Sequence, residues 1–275
     1  MTEREEKYKK LLKEWDTPFT RTEREAWDLL QARIAEMPAR PARVVQFNWK
    51  RWVPAAAAVL ILAAFSWFWA SPDRISEKTL PGTDHLVSLP DGSSAHLNAG
   101  SELSFSKSWT GDRRVELDGE AFFEVKKGKT FKVVTPQGEV QVLGTSFNVY
   151  CRNDKFTVAC YTGKVQVSGN GNEVKIEPGE KVIYQDGTWN SIVFDPREPS
   201  WKEGYFEYVD EPLENVLREL ERQFNISIEA DQTMDRNYTG HFSDSSLEEA
   251  LELVCTPMNF TWEIKKDMSV VLKTR

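Results

Sequence analysis

Arg114-Val115-Glu116-Leu117-Asp118-Gly119-Glu120-Ala121-Phe122-Phe123-Glu124-Val125 alternates apolar and polar residues up to Leu117, passes Asp118-Gly119, and becomes apolar again from Ala121 to Val125. A period of two sends side chains to opposite faces of a pleated strand, and Asp-Gly is a turn pair. The segment therefore reads as a strand leading by way of Asp118-Gly119 into Ala121 to Val125, with Gly119 holding turn or bulge geometry that a Cβ would oppose. The pattern repeats outward in both directions. Pro90-Asp91-Gly92-Ser93 is a turn followed by Ala95-His96-Leu97; Phe131 to Thr135 alternates, Pro136-Gln137-Gly138 turns, and Val140 to Leu143 opens another strand. Phe147 to Cys151 and Phe156 to Tyr161 flank Asn153-Asp154, a hairpin turn pair, and Lys164 to Val167, Val174 to Ile176 and Lys181 to Tyr184 add three more strands. About ten short strands with no helix between them, from about Leu80 to Gly187, define an all-β module.

The module is poor in catalytic signals. It has no G-x-S-x-G, H-E-x-x-H, P-loop or C-x-x-C. Glu120 and Glu124 look like a glycosidase carboxylate pair, but i and i+4 on a strand stand about 13 Å apart, too far for either glycosidase geometry. A solvated or turn-pairing role is expected for them. His85, His96 and His241 are scattered without ligand spacing, so no metal site is expected. A tight turn at Asn153-Asp154 sets Cys151 opposite Phe156 rather than Cys160, which makes Cys151 and Cys160 buried free thiols; Cys255, on a helical apolar face, reads the same way.

After Asp195-Pro196-Arg197-Glu198-Pro199 the period changes. Gly204 to Val209 is a strand. Asp210 is placed to cap a helix opened by Pro212, with Leu213, Val216, Leu217, Leu220 and Phe224 on one stripe. Asn225 to Ala230 and Tyr238 to Phe242 are strands. Ser245-x-x-Glu248 is a capping box for a helix that turns Leu247, Ala250, Leu251 and Val254 inward, and Phe260 to Lys265 and Met268 to Lys273 form a closing hairpin. The order β-α-β-β-α-β-β makes a small α+β module.

Upstream of both modules, Val53 to Ala70 holds eighteen residues without a charge. A helix of that length spans roughly 27 Å, close to the hydrocarbon thickness of a bilayer. Trp52, Trp67 and Trp69 stand near its ends, where indoles favour headgroups. It starts too late for a signal peptide, and no cleavage site follows. Arg40, Arg43, Lys50 and Arg51 precede it, whereas the residues beyond it, Asp73, Arg74, Glu77 and Lys78, balance one another. The N-terminus is therefore expected in the cytoplasm. Whole-chain values conceal this division. The 275 residues carry a net charge of -8 and a mean hydropathy of -0.51. These exclude a multi-spanning protein and argue against a general nucleic-acid binder. Residues 1–51 carry +3 and residues 52–275 carry -11.

The N-terminal arm contains two amphipathic patterns. Tyr8, Leu11, Leu12 and Trp15 fall on one face; a second helix, capped at Thr20 or Thr22, aligns Ala26, Trp27, Leu30, Ile34 and Met37. Two stripes on so few residues bury too little to fold alone, so the arm is expected to fold against a partner.

Leu89-Pro90-Asp91-Gly92-Ser93, Leu97-Asn98-Ala99, the Arg114–Val125 run, Val142-Leu143-Gly144-Thr145-Ser146-Phe147-Asn148-Val149, Gly163-Lys164-Val165 and Glu177-Pro178-Gly179-Glu180 follow one another in an order that resembles the successive signatures of the FecR family. Trp201, the Phe206–Leu213 run and Gly240-x-Phe242 resemble the small secretin/TonB-type N-terminal domain that follows the middle domain in FecR-like proteins of Bacteroidetes. The resemblance implies a multidomain α+β protein. It would comprise a cytoplasmic helical arm at 1–51, one transmembrane helix at 52–71, a periplasmic all-β FecR domain at 80–190 and a periplasmic α+β domain at 200–275. It also implies an inner-membrane anti-sigma factor that holds an extracytoplasmic-function sigma factor and is signalled by a TonB-dependent outer-membrane transporter. Transmission would be by regulated proteolysis, involving an intramembrane protease, or by conformational change. Leu11, Leu12, Trp15, Trp27, Leu30 and Ile34 are the expected sigma-binding face. Pro90, Asp91, Gly92, Gly119, Glu120, Gly144, Thr145, Asn148, Pro178 and Gly179 read as fold-defining, with no catalytic residue, metal, cofactor or direct nucleic-acid contact. The alternative is an anchored envelope enzyme or glycan-binding module, in which Trp109 and Trp189 would stack on sugars, although strand-end core positions are the better reading of both.

Overall fold

The computed structural model describes Glu6, Lys9, Lys10, residues 22–37 and residues 74–275 apart from 110, 112, 186 and 231–234. The apolar run at 53–70 and the Tyr8–Trp15 pattern lie outside the described residues, except for Lys9 and Lys10. Among the described residues no helix is long and apolar enough to cross a membrane. The chain divides into two compact units, Met1–Trp67 and Phe68–Arg275.

In the first unit, helix α1 (Glu23–Glu36) starts after Thr22, whose backbone N–H donates to Glu25 Oε2 at 2.9 Å. The Thr22 option is thus the one adopted. No residue of α1 is buried, and its apolar stripe is open, with Trp27 61% and Ile34 59% exposed.

Among the described residues the second unit opens with thirteen strands: β1 (Arg74–Lys78), β2 (His85–Ser88), β3 (Ser94–Leu97), β4 (Glu102–Ser106), β5 (Arg113–Glu124), β6 (Phe131–Val134), β7 (Glu139–Val142), β8 (Ser146–Arg152), β9 (Lys155–Cys160), β10 (Val165–Gly169), β11 (Asn172–Ile176), β12 (Glu180–Gln185) and β13 (Thr188–Val193). They form one curled sheet. Its organising element is β5. The two apolar stretches on either side of Asp118-Gly119 run through as a single twelve-residue strand, and the turn or bulge geometry expected of Gly119 is a bend within it. Its first half pairs with β4 and β6, and its second half with β3 and β8. The change of partner falls at Gly119, where φ is +116° and an added Cβ would lie 2.8 Å from the Ser101 Cα. Only glycine meets both demands. The strand therefore bends instead of breaking, and Val115, Leu117, Ala121 and Phe123 all reach one core from its two halves.

The β8–β9 hairpin turns at Asn153-Asp154, both at positive φ, with Cys151 paired to Phe156 and Phe147 to Cys160. All three cysteines are free and buried. Trp109 and Trp189, the candidate sugar platforms, pack half-buried on the same core, Trp109 edge-on to Phe105 and Phe131 and Trp189 edge-on to Phe156.

A short 3-10 turn (Ser200–Glu203) leads into β14 (Tyr205–Pro212), α2 (Leu213–Phe224), β15 (Ser227–Ala230), β16 (Asn237–Ser243), α3 (Leu247–Cys255), β17 (Phe260–Ile264) and β18 (Ser269–Thr274). β14 pairs with β16; β15 runs parallel to β18, which pairs with β17. Two expected caps are displaced. Asp210 sits at a β-bulge with φ +54°, accepts from Asn237 Nδ2, and does not cap α2, which opens at Pro212. The α3 cap is Ser246, one residue beyond the expected Ser245, and its Oγ accepts from Glu249 N–H at 3.3 Å. Leu213, Val216, Leu217 and Leu220 of α2 and Ala250, Leu251 and Val254 of α3 fill a second core. Phe122, from the outer face of β5, belongs to that second core, so the small module is packed directly onto the sheet.

Candidate functional site

The alternation of β5 places Glu120, Phe122 and Glu124 on the face away from the sheet's core. Glu124 is exposed, as expected. Glu120 is not: it retains only 9% exposure, because the small module covers the strand at the Gly119 bend. The solvated role expected for Glu120 is thus overturned. The sequence pattern showed which face the residue takes, but not that a second module lies over it.

Glu120 is the hub of the covered seam. Asn98 Nδ2 donates to its Oε2 and Asn148 Nδ2 to its Oε1, each at 2.8 Å. Each asparagine passes the connection on to the small module. Trp201 Nε1 donates to Asn148 Oδ1 at 3.2 Å, and Gln223 Nε2, on α2, donates to Asn98 Oδ1 at 2.9 Å. Gln223 also donates to Glu219 Oε1 at 2.8 Å, and Arg222 donates to Glu219 Oε2. Beneath the seam, Arg152 of β8 donates to the carbonyls of Ala99 and Gly100 and to Ser101 Oγ, holding the β3–β4 loop. Gly82 N–H donates to the Arg222 carbonyl at 2.7 Å. Along the flank, Lys155 pairs with Glu211, and Arg218 Nη1 donates to Asn153 Oδ1 at 2.7 Å.

Burial raises the Glu120 carboxyl above its ordinary range; the nearby Glu219 carboxylate adds to this, while the Asn148 and Asn98 amides and Arg152 oppose it. Burial and Glu219 likewise push the Tyr208 and Tyr150 phenols upward. His96 lies against Trp201, with ring centroids 5.3 Å apart, and contacts the Asp84 carboxylate. His85 and His241 take no part. The arrangement joins the two modules through buried polar bonds.

The remaining motif residues hold turns around the sheet. Asp91 accepts from the N–H and Oγ of Ser93 and from Arg113 Nη1 at 2.7 Å. These bonds outweigh its burial and hold its carboxyl below the usual range. Pro90 and Gly92 complete that turn. Gly144 lies close to Lys127, where a Cβ would stand 2.7 Å from its Cα, and the Thr145 carbonyl accepts from Val125 N–H. Pro178-Gly179 turns with Gly179 at φ +86° and its N–H bonded to the Cys160 carbonyl. Of the expected sigma-binding residues, Trp27, Leu30 and Ile34 are exposed on α1, while Leu11, Leu12 and Trp15 lie outside the described residues. Sequence reasoning missed Glu219, Gln223, Arg152 and the link from Trp201 to Asn148. The available signal was the polar Asn98 and Asn148 amid strand-core motifs.

The architecture joins an all-β module to a small α+β module across a buried polar seam. Residues 76–166 match the family model of FecR protein, and residues 205–271 match that of the FecR C-terminal region; the chain belongs to the FecR family. It is similar to two crystal structures of a protein from Parabacteroides distasonis ATCC 8503 assigned as an anti-sigma factor, determined at 2.50 and 1.65 Å. Each has a TM-score of 0.69 at 30% identity; the matches cover 74% and 73% of this chain and 99% of those chains. No curated protein matches the chain. Membership supports a role in sigma-factor regulation.

Proposed function

We propose that the protein is a single-pass inner-membrane anti-sigma factor, with residues 1–51 in the cytoplasm, residues 52–71 spanning the bilayer and the remainder in the periplasm. The arm holds an extracytoplasmic-function sigma factor through Leu11, Leu12, Trp15, Trp27, Leu30 and Ile34. The periplasmic modules take the signal from the signalling domain of a TonB-dependent outer-membrane transporter. The observation that carries this reading is the open apolar stripe of α1 in a member of the FecR family. Aromatic and aliphatic anchors on one helix face dominate helix-in-groove interfaces.

The test is co-purification of the full chain, in detergent, with the extracytoplasmic-function sigma factor encoded nearby. Retention of that factor by the native chain, and its loss with Trp27→Ala/Leu30→Ala/Ile34→Ala, is the expected outcome. A folded sigma factor that the native chain fails to retain overturns the anti-sigma reading. Topology has a separate readout. A membrane-impermeant reagent added to spheroplasts should label cysteines introduced beyond Ala70, whereas labelling of cysteines within residues 1–51 would invert the orientation.

A further inference from the structure

At one end of the curled sheet four strand ends come level. Arg74, which opens β1, pairs with Ser106 at the end of β4; Phe105 pairs with Val115, and the first residue of β5, Arg113, pairs with Phe131 of β6. Because β5 bends at Gly119, the Lys126-Lys127-Gly128-Lys129 turn that follows it returns to this same end. Arg113 fastens the turn there: Nη1 donates to the Lys126 carbonyl at 2.9 Å, and Nη2 donates to the Lys129 carbonyl. The Lys126 N–H donates to Ser93 Oγ and the Gly128 N–H to the Leu143 carbonyl.

Two hollows share Trp109 and Gly111 as a common wall. One, of about 290 Å³, reaches Arg74 and Arg114, both paired with Glu116 on its wall; the other, of about 410 Å³, reaches Lys126, Lys127 and Lys129. The three lysines are exposed, and among the described residues none joins an ion pair. Asp91, the acid lining the lysine hollow, is taken up by Arg113. Leu143, beside the same turn, is also exposed. This is a preformed cationic rim on a part of the chain whose net charge is -11.

We infer that the lysine rim rests on the anionic phospholipid headgroups of the membrane that anchors the chain. The inference relies on the anchored reading proposed above. In the sequence Ala70 ends the expected span and Arg74 begins β1; four Cα–Cα links of 3.8 Å hold these residues within about 15 Å of each other. Three strand spacings, about 14 Å, separate Arg74 from the start of β6 beside the lysine turn. The rim is thus within reach of the bilayer through the chain itself. The small module is held at the opposite end, past Lys78, by the Gly82–Arg222 bond and the Glu120 seam, and so projects away from the bilayer. A negative membrane surface attracts nearby lysines across about one Debye length and raises partitioning about fivefold for each.

The test uses residues 74–275, which contain both cores and correspond in extent to the crystallised relative. Co-sedimentation with vesicles of equal phosphatidylglycerol and phosphatidylcholine is compared with phosphatidylcholine alone. Binding to the anionic vesicles only, falling as salt rises, is expected. K126Q/K127Q/K129Q should lower partitioning about 100-fold with an unchanged melting profile, while K202Q/K265Q/K273Q, an equal charge change on the small module, should leave it near the native value. Absence of any preference for anionic vesicles, or equal loss in the two triple variants, overturns the inference. Displacement by 10 mM inorganic phosphate beyond that caused by sodium chloride of equal ionic strength also overturns it, since the lysines would then hold a soluble anion. None of these results depends on the span, which the spheroplast labelling tests independently.

Discussion

Asn148→Ala probes the seam at its most connected point. The native side chain donates to Glu120 Oε1 at 2.8 Å and accepts from Trp201 Nε1 at 3.2 Å, and all three residues are buried. Loss of a hydrogen bond to a charged acceptor costs about 1.5–3 kcal/mol, and an indole N–H left buried without an acceptor costs about 1–3 kcal/mol. The expected destabilisation is about 3–5 kcal/mol, and with a slope of about 2 kcal/mol/M the urea midpoint of residues 74–275 falls by about 2 M. Trp201→Phe, the milder change, removes the N–H and should cost about 1–2 kcal/mol. The two are not independent, because the orphaned indole that Asn148→Ala creates is absent once Trp201 is phenylalanine. The double variant should therefore be less destabilised than the sum of the singles by about 1–2 kcal/mol. Urea titrations followed by circular dichroism measure all four proteins. A cost below about 1 kcal/mol for Asn148→Ala, or strict additivity in the cycle, would refute the view that the seam bonds hold the modules together.

Two further outcomes follow from named groups. Glu120 has a raised folded-state pKa; the folded protein therefore holds this proton more tightly, and the associated stability is complete below the unfolded value of about 4.3 and lost as pH rises through the folded value. Relative to Glu120→Gln, the native protein should lose stability across that window by up to about 1.4 kcal/mol per pH unit, and parallel pH profiles of the two would contradict this. Gly119→Ala forces a Cβ to 2.8 Å from the Ser101 Cα at φ +116°. It should cost at least about 2 kcal/mol by thermal melting, whereas a near-neutral result would mean that the β5 bend relaxes readily.

Legibility in the sequence followed the range of the interaction. Asn153-Asp154 disclosed its hairpin, and with it the Cys151–Phe156 pairing, because turn chemistry and register are set within about ten residues. The α2 stripe was equally plain. At Asp118-Gly119 turn and bulge both stayed open, because an Asp-Gly pair looks the same whether the chain reverses or a strand bends to join two layers. The partners that decide between them, β3 and β8, lie about 25 residues away on either side. Asp210 failed as a cap for a similar reason: the β-bulge and Asn237 claim its side chain. The seam was least visible. Glu120 alternates as a surface residue should, and nothing local reveals that Trp201 and Gln223, distant in the chain, cover it.

The polarity of the seam explains why position 120 carries a carboxylate. Asn98 Oδ1 accepts from the Ala99 backbone N–H and from Gln223, and Asn148 Oδ1 accepts from an indole N–H, which can only donate. Both amides are thereby fixed with their NH₂ groups toward position 120, which must supply two acceptor oxygens. An ionised glutamate does so; glutamine, or a protonated glutamate, turns one donor toward another. Burial and Glu219 nevertheless favour the protonated form. Solvation and hydrogen bonding thus pull this carboxyl in opposite directions, and the small module is the element that imposes the conflict. Loosening the module would admit water to Glu120 and relieve the desolvation, whereas tightening it intensifies the conflict. By linkage, the stability of the covered seam depends on whether Glu120 carries its proton.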